Sequence, residues 1–87
     1  MAIWGADVQQ LRDLGNKLQQ GASEIETQKS NLNKVLHSTD WKGPDADKFR
    51  EEWSGTHTTQ LTKVAEALKE ASTRAKRNAD QQDQASN

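Results

Sequence analysis

The chain has 87 residues, no cysteine, and 12 basic against 13 acidic side chains for a formal charge of -1, which excludes a disulfide framework, a thiolate nucleophile and a thiolate metal site. It also lacks the excess positive charge of a protein that reads nucleic-acid phosphates. Leu, Ile, Val and Phe together supply only 13 of the 87 residues, so one thin amphipathic domain is expected, near the size where a single core only marginally repays the entropy of folding.

Residues 1–7 carry neither a basic stretch nor an apolar run of signal-peptide length. No segment is apolar enough for long enough to span a membrane, so a soluble chain is expected, with any export proceeding without a cleavable leader. From Val8 onward Leu11, Leu14, Leu18, Ile25, Leu32 and Val35 recur at helical spacing, with Ala22 and Leu36 widening the stripe. A long first helix over about 7–38 follows. Leu11, Leu18, Ile25 and Leu32 are seven apart and Trp4 continues the register, so this row resembles one seam of a heptad pattern. Gly15 and Gly21 each weaken a helix relative to alanine, and the useful reading of them is close approach of a neighbour.

The segment 38–44 breaks the pattern. Pro44 cannot extend a preceding helix and restricts Gly43, but it suits the first position of a new one. Asp45 and Asp47 place negative charge at the positive end of that helix. A turn over 39–43 is therefore expected, then a second helix over about 44–79 carrying Ala46, Phe49, Trp53, His57, Leu61, Val64, Leu68, Ala71 and Ala75 on its apolar stripe. Residues 80–87 lose the stripe and read as a polar, fraying tail.

Two helices of this length joined by a tight turn predict an all-α antiparallel helix-turn-helix hairpin. A lone hairpin buries only the strip where its helices touch, so dimerisation, antiparallel, into a four-helix bundle is expected. Leu11, Leu14, Leu18, Ile25, Leu32, Leu61, Val64 and Leu68 would form the hairpin and dimer interfaces.

At the turn, Trp41-Lys42-Gly43 is followed by Ala46, Phe49 and Trp53 in the order W-x-G-x-x-A-x-x-F-x-x-x-W. In length, central motif, helical patterning and missing cysteine the whole chain resembles the Trp-Xaa-Gly (WXG) family, also called early-secreted-antigen-like, exported by bacterial type VII secretion systems. The resemblance implies a protein-binding module, cytoplasmic before export and extracellular after it. Its partners would be itself, a paired family member, a larger effector or the secretion ATPase. It implies that Trp41 and Gly43 belong to a turn read for export, supported by a core of Ala46, Phe49 and Trp53. One element departs from the family pattern: the Tyr-x-x-x-Asp/Glu signal after the second helix has no counterpart, since the chain contains no tyrosine and Ala79 and Asp83 keep only the spacing.

The residues themselves support a plainer account beside that one. Trp41 can cap the open end of the bundle and Gly43 can supply a turn dihedral. Phe49 and Trp53 read as core or dimer interface. His37 suits the carbonyls of a helix end, and His57 reads as a packed residue on the stripe. No metal-ligand spacing and no Ser, His and acid arrangement stands out. Neither catalytic nor metal-binding residues are therefore expected, nor a cofactor, a nucleic-acid partner or a small-molecule substrate. Two other functions fit the pattern: an intracellular adaptor or chaperone hairpin for a type VII toxin, and a purely structural coiled-coil module.

Overall fold

A computed structural model of the chain describes residues 6–86. Helix α1 spans Val8–Ser38, close to the expected limits, and Asp7 caps its start by accepting from the Gln10 backbone N–H at 2.9 Å. At its other end the hydroxyls of Ser38 and Thr39 donate to the Val35 carbonyl, and His37 Nδ1 lies 3.0 Å from the Asn33 carbonyl. The Val35 carbonyl, which the end of the helix leaves without a backbone donor, is thus satisfied by side chains. Thr39 then turns to an extended conformation and ends the helix.

The second rod begins at α2, Pro44–Glu52, with Pro44 in the first turn and Asp45 and Asp47 beside it. It passes through a π-helical turn, Trp53–His57, into α3, Thr58–Ser86. In the π-turn the Thr58 N–H reaches back five residues to the Trp53 carbonyl, and the Thr58 and Thr59 hydroxyls donate to the carbonyls of Ser54 and Gly55. The wide turn absorbs one extra residue, so beyond it the inward face moves one position along the sequence. His57, expected on the inward stripe, is exposed, and Thr58 takes the half-buried place.

The two rods run antiparallel, because contacts between them pair low numbers with high: Arg12 with Asp80, Gly15 with Ser72, Lys29 with Thr62 and Asn33 with Trp53. Their dry contact is made of small residues. Gly15 and Ala22 on α1 face Ala65, Ser72, Ala75 and Ala79 on α3, all buried, and the Ser72 hydroxyl donates to the Gly15 carbonyl at 2.6 Å. Such a seam lets helix axes approach at the short end of the usual ~8–10 Å. The large apolar residues expected at the interfaces flank this seam instead of filling it: Leu11, Leu18, Ile25, Leu61 and Leu68 are half-buried, and Leu14, Leu32 and Val64 exposed.

The expected end of the second helix at residue 79 is corrected. α3 continues to Ser86 because these residues lie opposite the start of α1: Arg12 pairs with Asp80 at 3.3 Å and Asp83 at 3.5 Å, and the Ala6 N–H donates to Gln82 Oε1. Trp4, which continues the first seam in sequence, lies outside the described residues. No helix among the described residues is long and apolar enough to cross a membrane.

Candidate functional site

Two surfaces stand out, an aromatic groove at the turn and an apolar face along the rod. The turn is built around Gly43, whose φ of 121° and ψ of 176° lie in a region that essentially only glycine occupies. Arg50 holds the turn from the adjoining helix. Its guanidinium donates to the Trp41 carbonyl at 2.8 Å and the Thr39 carbonyl at 3.2 Å, with Cζ 6.0 Å from the Trp41 ring centre. The Lys42–Asp40 pair, at 4.0 Å and almost wholly exposed, contributes nothing of note.

Trp41 is 40% exposed and sits against Phe49, ring centres 5.7 Å apart and tilted by 50°. With Trp53, Leu32, Val35 and Leu36 these rings line an apolar groove of about 260 Å³. Trp53 is half-buried and its indole N–H donates to Asn33 Oδ1, with His57 packed 6.4 Å from its ring. Ala46 is fully buried where α2 leaves the turn. The turn residues Trp41 and Gly43 and the trio Ala46, Phe49 and Trp53 are therefore brought together at one end of the molecule. Only Ala46 is enclosed.

No protein-family model, curated protein or solved structure matches the chain.

Two contributors to this end escaped the sequence reading. Arg50 shares the i, i+4, i+7 spacing of Ala46 and Trp53, a visible sign that it faces the same way. Asn33 answers the need of a half-buried indole for an acceptor. The second surface runs along the rod, where Leu14 is 50%, Leu32 47% and Val64 49% exposed beside the half-buried Leu11, Leu18, Ile25, Leu61 and Leu68. Among the described residues no group of three or more His, Cys, Asp or Glu side chains is placed to hold a metal ion. Both surfaces offer shape and apolar area, the means of binding another protein.

Proposed function

We propose that the protein is a binding module of WXG type, exported by a type VII secretion system, which acts by laying its apolar face against a second helical hairpin. The observation that carries this is the apolar row left uncovered by the hairpin, from Leu14 through Leu32 on one helix and Val64 on the other. Total area supports it. The chain exposes 6715 Å², against about 5,100 Å² for a compact monomer of its mass, and a stable pairing takes about 800 Å² from each partner. The Trp41-Lys42-Gly43 turn stands at one end of that face and is the element read for export.

Sedimentation equilibrium tests the pairing: a dimer of four helices is expected, and a well-folded monomer at high micromolar concentration refutes self-pairing. Export is tested by finding intact protein in culture supernatant, dependent on the secretion ATPase and without cell lysis. Trp41→Ala separates the two roles of the indole. A variant that still pairs and is folded at the temperature of the assay, despite its lower melting point, but stays in the cell marks Trp41 as read by the machinery, whereas export that falls in step with stability leaves it a packing residue. Pairing that persists while the chain is never exported favours the intracellular adaptor instead.

A further inference from the structure

Across the seam from the exposed Leu32 and Val64, a polar groove of about 640 Å³ lies between α1 and the second rod, beside the π-turn. Its α1 wall carries Lys29 and Asn33, the other wall carries Ser54, Thr62 and Lys63, and Glu66 is the one acid that lines it. Asn33 stands about 100° around α1 from Leu32, and Thr62 about 160° around α3 from Val64, with the buried Ala22 and Ala65 falling between. Pairing through the leucines therefore leaves this groove open.

The groups around it are placed by bonds that leave protons over. An indole N–H can only donate, so the Trp53 bond to Asn33 Oδ1 fixes the amide and leaves its Nδ2 hydrogens without an acceptor among the described residues. Thr62 Oγ1 accepts from Lys29 Nζ at 2.8 Å, so the hydroxyl proton must point elsewhere. Lys29, its side chain only 23% exposed, leans on Glu26 at 3.7 Å, which lies outside the groove. Lys63 and the Ser54 hydroxyl meet no partner among the described residues. The carbonyls of Ser54 and Gly55, by contrast, are engaged by Thr58 and Thr59. An amide, two hydroxyls and two ammonium groups thus gather around a single carboxylate, a set rich in donors and short of acceptors.

We infer that this groove is an oxyanion site and that its ligand is a small phosphate monoester. The donors approach from two walls rather than as one planar fork, which suits a tetrahedral group with three free oxygens better than a carboxylate with two. Bonds from the ammonium groups and the amide to a charged oxygen are of the strong, charge-assisted kind. The length of the groove leaves room for the organic part of the ester. The site belongs to a single chain and needs neither pairing nor export.

The test titrates the full-length chain with inorganic phosphate, phenyl phosphate, acetate and chloride at matched ionic strength. NMR follows the Asn33 side-chain amide and the backbone amides of Thr62 and Lys63. Both phosphates should shift these signals saturably, and acetate and chloride should not. Asn33→Asp keeps an acceptor for Trp53 but replaces the donor with a negative charge. It should weaken phosphate binding about tenfold or more with indole emission unchanged. Glu66→Gln removes the opposing charge and should tighten binding about twofold to threefold. Shifts that chloride reproduces, or that survive Asn33→Asp, mean an adventitious ion only and overturn the site. Acetate bound as tightly as phosphate overturns the tetrahedral ligand, and rejection of phenyl phosphate overturns the ester.

Discussion

Gly43 and Trp41 sit two residues apart and are held for different reasons, which substitution should separate. Nothing lies within 4 Å of a Cβ built on Gly43, so the cost of a side chain there is backbone strain alone. Gly43→Ala and Gly43→Ser should each lose about 1–3 kcal/mol in denaturant unfolding, and by similar amounts. A Ser variant far worse than the Ala variant would point to crowding instead. Trp41, 40% exposed against Phe49 and Arg50, should lose about 2 kcal/mol on truncation to Ala, less than the ~3–5 kcal/mol of an enclosed ring. Arg50 reaches two carbonyls of the turn, a geometry suited to its planar fork. Arg50→Lys should therefore destabilise measurably where an ordinary surface exchange would not.

Among the elements, the small-residue seam between α1 and α3 makes a counterintuitive demand. Ser72→Ala removes the hydroxyl bond to the Gly15 carbonyl and should cost about 1 kcal/mol. Ser72→Leu adds apolar surface yet should cost more, about 1–3 kcal/mol or above, because the helices must separate to admit it. Melting temperatures in the reverse order would show a loose, fluid contact. The π-turn has a similar test, since Trp53–His57 contains the one extra residue that sets α2 against α1. Deleting Gly55 should restore plain α-helix and leave α2 and α3 on the same face, because the spacing from Trp53 to Leu61 falls from eight residues, which need the wide turn, to seven, which do not. The Trp53 bond to Asn33 should persist, with helicity and indole emission unchanged. Emission shifted to the red with earlier melting would show that the turn does more than absorb one residue.

At the scale of the whole molecule the shape is a rod of 65 × 18 × 13 Å with a radius of gyration of 19.3 Å, against about 12 Å for a compact domain of this length. Stability is therefore spread along one narrow contact, and each end depends on what lies directly across from it. Truncation after Ala79 removes Asp80, Gln82 and Asp83 from the start of α1. The loss should be about 1 kcal/mol, as befits exposed ion pairs. It should shrink when melting is repeated at about 0.5 M salt, where surface charges are screened. A loss that ignores salt would assign the effect to helix length rather than to Arg12.

The existence of two long helices, and the site of the turn between them, could be read from the amino-acid order because both are local. A period near 3.6 needs only neighbours along the chain, and Gly43-Pro44 stops one helix and starts the next by its own backbone preferences. The same order left open which part of a wide apolar stripe faces the sister helix. Tertiary packing placed Gly15, Ala22, Ala65 and Ser72 inside and set the leucines beside them, since axes that approach closely leave no room for larger side chains. It likewise turned His57 outward through the π-turn and carried α3 past residue 79. Each of these outcomes depends on partners such as Arg12 with Asp80, or Asn33 with Trp53, that are far apart in the chain and meet only once the rods are paired.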